Sequence, residues 1–195
     1  MSSKGSEKVK NIAIFASGTG SNTLKIIQHF AKHPFIHVVL IVSNKTDAGV
    51  LTIAHTNHIS TLVLEKDKFY KNAYLNEFQQ KSIDFIVLAG FLWKIPSLLI
   101  AAYPNKIINI HPALLPGYGG KGMYGQHVHE AVIAAKEKQS GITIHYVDEK
   151  YDHGSTIFQI TCDIEEKDTP ETLAQKIHVL EHQHFPVIIE KILSN

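Results

Sequence analysis

The sequence has little cysteine and no long apolar run. Cys162 is the only cysteine among the 195 residues, so neither an internal disulfide nor a zinc site built from several cysteines can form. No apolar stretch reaches the ~20 residues that cross a bilayer. Residues 1–10 are polar and lack the apolar segment of a secretory signal. We therefore expect a cytoplasmic protein without a membrane partner, beginning with a flexible leader over residues 1–10.

The chain also has almost no net charge. Nineteen basic residues face 18 acidic ones, giving a net charge of +1, which creates no general attraction for nucleic acid. An anionic ligand would have to be bound locally. An apolar fraction of 44% in a chain of this length predicts one soluble domain, placed at residues 11–195.

Histidine is abundant, with 13 residues. The local pairs His127/His129 and His182/His184 are spaced by two, so on a helix their side chains face different sides and chelate poorly. No metal site is predicted.

Apolar runs of strand length alternate with helical segments along most of the chain. Strands are predicted at 11–16, 38–42, 61–64, 85–89 and 107–110, with helices at 23–32, 48–57, 68–81 and about 127–138. This order predicts an α/β fold with a doubly wound, mostly parallel sheet and helices on both faces. The segments 141–147 and 156–162 alternate in polarity and predict half-exposed, antiparallel edge strands.

Capping residues mark two helix starts. Asp67 is expected to cap the helix at 68–81, and Thr169 the last helix, where Pro170 and Glu171 suit the first turn. Pro186 should kink or divide this last helix.

A glycine turn, Ser17-Gly18-Thr19-Gly20-Ser21-Asn22, joins the first strand to the first helix. Free backbone N–H groups and the positive helix end converge there, which favours a phosphate. Position 23 is Thr rather than the third glycine of a dinucleotide fingerprint, and no Gly-Lys-Ser/Thr follows, so NAD and ATP are disfavoured. A plain tight connection is the structural alternative.

Asn109 and His111 end the strand at 107–110. Side chains alternate along an extended segment, so these two point the same way into one crevice. An amide that donates to an oxyanion, beside an imidazole that titrates near neutral pH, suits acyl transfer. A capping Asn with a structural His is the simpler alternative.

Two loops accompany this strand end. The segment 117–125 is rich in glycine and is either a surface loop or a lid. The loop at 148–155 offers the carboxylates of Asp148, Glu149 and Asp152, of which Asp152, near the flexible Gly154, is best placed to turn inward.

Taken together, Ser17–Asn22, Leu88-Ala89-Gly90-Phe91, Asn109-Ile110-His111-Pro112-Ala113-Leu114-Leu115-Pro116, and His145 with Asp152 closely resemble the folate-dependent formyltransferase family. The resemblance runs from about Asn11 to Leu193. The glycine turn points to the branch of the family that acts on glycinamide ribonucleotide.

This resemblance implies the reaction and the site. The formyl group of 10-formyltetrahydrofolate, a co-substrate, would pass to the amine of 5'-phosphoribosylglycinamide in purine synthesis, without a metal, in a monomer or homodimer. The implied catalytic residues are Asn109, His111 and Asp152, and Glu181 would contact the ribose. The phosphate site would comprise Gly18, Thr19, Gly20, Ser21 and Asn22, and the folate site Leu92, Trp93, Lys94, Ile95, Asn109 and Asp148.

The chain departs from the family pattern at four places. His153 stands where many relatives have Gly, and Trp93-Lys94 lies where many have an Arg. The 117–125 loop is longer and richer in glycine than in some members, and His178 occupies a position where a Lys often helps to bind phosphate. Alternatives are a formyltetrahydrofolate hydrolase, formyl transfer to another amine, or a non-catalytic flavodoxin-like binding module.

Overall fold

The computed structural model describes residues 8–194, so most of the predicted leader, residues 1–7, lies outside the described residues. The strands are β1 (Lys10–Phe15), β2 (Ile36–Ser43), β3 (Ser60–Val63), β4 (Ile83–Leu88), β5 (Ile107–His111), β6 (Gln139–Tyr146) and β7 (Thr156–Asp163). The helices are α1 (Ser21–Phe30), α2 (Gly49–Thr56), α3 (Lys66–Tyr70), α4 (Leu75–Gln80), α5 (Ser97–Ala102), α6 (Gln126–Ala134) and α7 (Pro170–Leu193).

The seven strands form one sheet in the order β3-β2-β1-β4-β5-β6-β7. β1 to β5 pair in parallel, whereas β6 pairs antiparallel with both β5 and β7. The predicted fold class is therefore confirmed. The chain winds outward from β1 to β3 and then outward from β4 on the other side, so the strand order reverses between β1 and β4. Ligands of such sheets bind at the carboxyl ends beside this point.

Both faces of the sheet are buried, which explains why the central strands are continuous apolar runs. In β1, Ile12 and Ile14 face a cluster that includes Phe185 of α7. Ala13 and Phe15 face a second cluster on the other side of the sheet, with Phe69 of α3 and Leu99 of α5. None of the helices within residues 8–194 is both long and apolar enough to cross a membrane.

Two helix predictions were wrong. The helix expected at 68–81 is two short helices, α3 and α4, because Asn72 between them adopts φ 57°, which a helix cannot continue through. Asp67 lies in the first turn of α3, and Glu65 is its N-cap residue. α6 ends at Ala134 instead of reaching Lys138, and Lys136 has φ 55°.

Two further predictions, both in the carboxyl-terminal part of the chain, differ from the structure. β7 alternates between half-buried and exposed residues as predicted, but β6 is buried along most of its length because it lies inside the sheet, beneath α7. α7 runs undivided from Pro170 to Leu193 with Pro186 inside it. The buried neighbours Phe185 and Ile189 hold this part of the helix against the sheet.

Candidate active site

The glycine turn forms the entry to α1, which begins at Ser21, two residues earlier than predicted. Gly20 has φ 84°, and a Cβ there would lie 2.8 Å from Cγ2 of Val50, so only glycine suits this position. No side chain caps α1, and its first turn contains no acidic residue. The N–H groups of this turn are therefore available to an anionic ligand.

Ser17 holds the glycine turn to two neighbouring segments. Its hydroxyl donates to Oδ1 of Asn44 at 2.5 Å and accepts from the backbone N–H of Leu92 at 2.9 Å. Ser17 is only 3% exposed. Because these partners follow β2 and β4, the hydroxyl ties together the ends of three adjacent strands.

Glu181 brings α7 to the glycine turn. Its Oε2 accepts from Nδ2 of Asn22 at 2.8 Å and from Nδ1 of His178 at 2.9 Å. The hydrogen bond to Glu181 raises the pKa of His178 above its usual value. The residue expected to contact ribose thus lies beside the turn expected to bind phosphate, with a cationic form of His178 favoured next to it.

Asn109, His111 and Asp152 meet in one crevice. Oδ1 of Asp152 lies 3.4 Å from Nδ2 of Asn109 and 3.6 Å from Nδ1 of His111. Asp152 adopts φ 53°, a left-handed conformation that Asp tolerates better than most residues and that turns its side chain inward. The sequence-based expectation that these three side chains share a site agrees with this geometry.

Backbone carbonyls determine which ring nitrogens carry protons. Nε2 of His111 lies 2.7 Å from the carbonyl oxygen of Tyr118, and a carbonyl only accepts, so Nε2 is protonated and Nδ1 faces Asp152. Likewise Nδ1 of His145 donates to the carbonyl of Tyr146 at 2.8 Å. Nε2 of His145 then accepts from Asn109 at 3.1 Å, which fixes the orientation of the Asn109 amide.

Burial and neighbouring charges shift the pKa values of His111 and Asp152 in opposite directions. Burial lowers the pKa of His111 below its ordinary value, although the Asp152 carboxylate raises it. Burial alone would raise the pKa of Asp152, but the protonated forms of His145 and His111 and the N–H of Gly120 stabilise its carboxylate, so the net shift is downward. Near neutral pH the site therefore holds a carboxylate facing a neutral imidazole.

The glycine-rich loop at 117–125 is part of this site. The backbone N–H of Gly120 donates to Oδ2 of Asp152 at 2.9 Å. A Cβ at Gly119 would lie 2.6 Å from Cδ2 of Leu115 and 3.2 Å from Cβ of Asp152. Glycine at 119 thus allows the loop to approach Asp152 closely.

A pocket opens from Asn109 and Asp152 toward the turn after β4. The residues lining it are Leu88, Phe91, Trp93, Lys94, Ile95, Asn109, His145, Val147, Asp148, Lys150, Tyr151 and Asp152. Most residues expected to bind folate are among them. Leu92 is not, and its backbone N–H is engaged by Ser17.

Asp148, at the edge of the pocket, is paired with His153 through a 2.7 Å contact between Oδ2 and Nδ1. Burial opposes the ionised form of Asp148, but His153 and the N–H of Lys150 outweigh it and lower the pKa. Within residues 8–194, no group of three or more His, Cys, Asp or Glu side chains is arranged to hold a metal ion.

Sequence reasoning assigned no role to three groups at this site: the imidazole of His145, the carbonyl of Tyr118 and the N–H of Gly120. His145 pairs with Asn109 in the β5–β6 register. The alternating pattern of β6 could have predicted on which face of the sheet His145 lies. Its pairing with Asn109 could not be predicted, because the register between β5 and β6 depends on residues far apart in the sequence.

The comparisons with known proteins agree on one family. Residues 10–189 match the family described as formyl transferase. The chain is 40% identical over 190 residues to the chloroplastic phosphoribosylglycinamide formyltransferase of Arabidopsis thaliana, covering 94% of this chain and 65% of that protein. It is 37% identical over 192 residues to the enzyme of that name from Bacillus subtilis (strain 168), covering 95% and 96%.

Solved structures give the same result. The phosphoribosylglycinamide formyltransferase from Bacillus halodurans superposes with a TM-score of 0.87 at 38% identity, covering 95% of this chain and 96% of that one. Glycinamide ribonucleotide transformylase 1 from Geobacillus kaustophilus gives 0.86 at 32% identity, with 95% and 99% covered. The chain spans less than two thirds of the plant relatives it matches, 65% and 61%.

The sheet order and the crevice at its strand ends define a doubly wound α/β protein with a candidate ligand site beside the point where the strand order reverses. Within that class, the chain belongs to the formyl transferase family.

Proposed function

We propose that the protein transfers the formyl group of 10-formyltetrahydrofolate to the amine of 5'-phosphoribosylglycinamide, giving formylglycinamide ribonucleotide and tetrahydrofolate in de novo purine synthesis. The observation that carries this proposal is the meeting of Asn109, His111 and Asp152 in one crevice. The names of the similar proteins, which cover most of this chain, support the same substrate.

Each part of the crevice receives one part of the substrates in this proposal. The phosphate binds to the turn formed by Gly18, Thr19, Gly20, Ser21 and Asn22, and Glu181 accepts hydrogen bonds from the ribose hydroxyls. The link between Asn22 and Glu181 supports this, since it holds the two groups side by side. The folate occupies the pocket lined by Trp93, Lys94, Ile95, Asn109 and Asp148, next to Leu92 in the same turn.

Formyl transfer joins the substrate nitrogen to the formyl carbon, breaks the bond from that carbon to N10 of the folate, and moves one proton from the amine to N10. The tetrahedral intermediate carries an oxyanion. The Asn109 amide can stabilise it by exchanging its long 3.4 Å contact with Asp152 for the oxyanion. A donor of this kind is typically worth about 3 kcal/mol of barrier.

His111 and Asp152 handle the proton in this scheme. Nδ1 of His111 is the unprotonated nitrogen and faces the crevice, so it can take the amine proton directly or through water. The carboxylate of Asp152, 3.6 Å away, stabilises the imidazolium that forms. The scheme needs no metal, and we propose a cytoplasmic monomer or homodimer that acts on small molecules rather than nucleic acid.

A turnover assay tests the proposal. The protein is incubated with 10-formyltetrahydrofolate, with and without glycinamide ribonucleotide, while tetrahydrofolate and formate are measured. We expect tetrahydrofolate to form only with the ribonucleotide and formyl to appear on its amine. Equal consumption without ribonucleotide, with formate released, would show a hydrolase. No turnover by folded protein would point to another amine or a binding module.

A further inference from the structure

The turn that follows His111 is held by side chains of the two antiparallel strands. In the sheet register, His111 lies opposite Thr143 of β6, and Thr143 lies opposite Gln159 of β7. Directly opposite residues of antiparallel strands point to the same face, so these three side chains form one row at the carboxyl end of β5. The backbone of residues 113–115 folds back over the row and contacts Thr143 and Gln159.

Thr143 is the centre of this contact, and it is completely buried. Its hydroxyl donates to the carbonyl oxygen of Ala113 at 2.7 Å and accepts from the backbone N–H of Leu115 at 3.0 Å. Nε2 of Gln159 donates to the same hydroxyl at 2.9 Å and to the carbonyl oxygen of Leu115 at 2.8 Å. The hydroxyl therefore uses its one donor and both acceptor positions, and the Gln159 amide uses both of its protons.

Leu115 connects this network to the glycine-rich loop. A Cβ at Gly119 would lie 2.6 Å from Cδ2 of Leu115, so this side chain packs directly on the backbone of the loop. The residue before Gly119 supplies the carbonyl that accepts from Nε2 of His111, and the residue after it supplies the N–H that donates to Asp152. A displacement of Leu115 therefore reaches the contacts of both catalytic side chains.

We propose that Thr143 and Gln159 are positioning residues, which hold the turn at 113–115 so that the carbonyl of Tyr118 keeps His111 protonated at Nε2. This inference rests on the proposed function, because Nδ1 of His111 is free to take the amine proton only in this tautomer. Once the turn is released, the ring can carry its proton on Nδ1 and donate it to Asp152. No free ring nitrogen then faces the substrate amine.

The first test measures the tautomer of His111 without any substrate. The 15N chemical shifts of its ring, assigned by their loss in His111→Gln, are recorded at a pH where the ring is neutral. We expect protonation at Nε2 in wild type and a mixture of tautomers in Thr143→Val. The reason is that a methyl group cannot lie 2.7 Å from the carbonyl oxygen of Ala113, so the turn must move. Thr143→Ser keeps the hydroxyl and should keep the wild-type tautomer.

The second test is turnover with both substrates saturating. Thr143→Val should lower kcat by roughly 10- to 100-fold, the loss that a displaced catalytic group causes, while the KM values change little. Gln159→Leu leaves the Thr143 hydroxyl in place and should lower kcat by about three- to tenfold, as the loss of one hydrogen bond does. Thr143→Ser should turn over like wild type.

Gln139→Leu is the matched control. Gln139 donates through Nε2 to Asp163, its partner at the opposite end of the β6–β7 pair. This variant also removes a glutamine amide from the same two strands, but it does so far from the turn at 113–115. We expect the wild-type tautomer of His111 and the wild-type kcat.

Three results would overturn the positioning role: wild-type tautomer and kcat in folded Thr143→Val, equal losses in Thr143→Ser, or equal losses in Gln139→Leu. If Thr143→Val does not fold, the exposed Gln159 decides, and an unchanged tautomer and kcat in Gln159→Leu would overturn the role. A tautomer that changes as expected, in a protein whose wild type shows no turnover, would instead overturn the proposed function, so the two failures are distinguishable.

Discussion

At the scale of the residue, one ring nitrogen of His111 is held in a hydrogen bond to the backbone, and the other is free to bind a proton. Nε2 donates to the carbonyl of Tyr118, so Nδ1 is the nitrogen that exchanges its proton, and it faces Asp152. Burial lowers the pKa of His111 and the carboxylate raises it. The balance keeps the imidazole neutral near neutral pH and still able to take a proton when charge develops beside it.

The first prediction concerns Asp152→Asn. The amide cannot stabilise imidazolium, so the pKa of His111, already below 6.5, should fall further, and turnover should drop by orders of magnitude. NMR titration measures the pKa, with the His111 signal assigned by its loss in His111→Gln. Asp163→Asn, an exposed carboxylate paired with Gln139, is the control. Near-normal turnover in folded Asp152→Asn would contradict the assigned role.

At the scale of the element, the start of α7 is fixed by a dense set of hydrogen bonds. Thr169 and Thr172 form a reciprocal capping box. Asp168 accepts from the hydroxyl of Thr172 at 2.9 Å and from Nζ of Lys176 at 2.5 Å, and the bond from Lys176 is the main cause that lowers the pKa of Asp168 to about 2. This end positions the helix that carries Glu181.

We therefore predict that Asp168→Asn lowers Tm at neutral pH. A carboxylate whose pKa is depressed on folding contributes stability above its unfolded pKa, and this contribution disappears as pH falls from 3.8 to about 2. The difference in Tm from wild type, measured by calorimetry across pH, should shrink over that window. Glu166→Gln, which removes a nearby exposed charge, should show little difference. A pH-independent difference would contradict the ion pair as its source.

The elements also show what sequence could and could not predict. The apolar runs predicted the strands, because the strands of a sheet that is covered on both faces are apolar throughout. The glycine turn and the spacing of Asn109 and His111 predicted much of the candidate site. The break at Asn72 was missed because a left-handed residue has no strong local signal when it is not glycine. The role of His145 was missed because it depends on its pairing with Asn109 across 36 positions.

At the scale of the whole molecule, the two apolar clusters share one sheet. β1 contributes Ile14 to one cluster and Phe15 to the other, so we expect loss of packing on one face to weaken the other through the same strand. We propose on this basis that residues 11–195 form a single cooperative domain.

Phe185→Ala tests this cooperativity. Phe185 is fully buried in the cluster beneath α7, and its truncation should cost about 3–5 kcal/mol of the free energy of unfolding. Trp93 packs on the opposite cluster. Unfolding midpoints followed by Trp93 fluorescence and by far-UV circular dichroism should fall together. The control is Val187→Ala, since Val187 is 50% exposed. A Trp93 transition that stays at the wild-type midpoint would indicate independent units.

The bond between Asn22 and Glu181 joins positions 159 residues apart. A ribosome releases a chain from its amino end, so the glycine turn emerges long before α7 does. During that interval the turn has no carboxylate partner. The proposed ribonucleotide site is thus completed late in synthesis, and we expect nascent chains that have not yet released α7 not to bind the ribonucleotide.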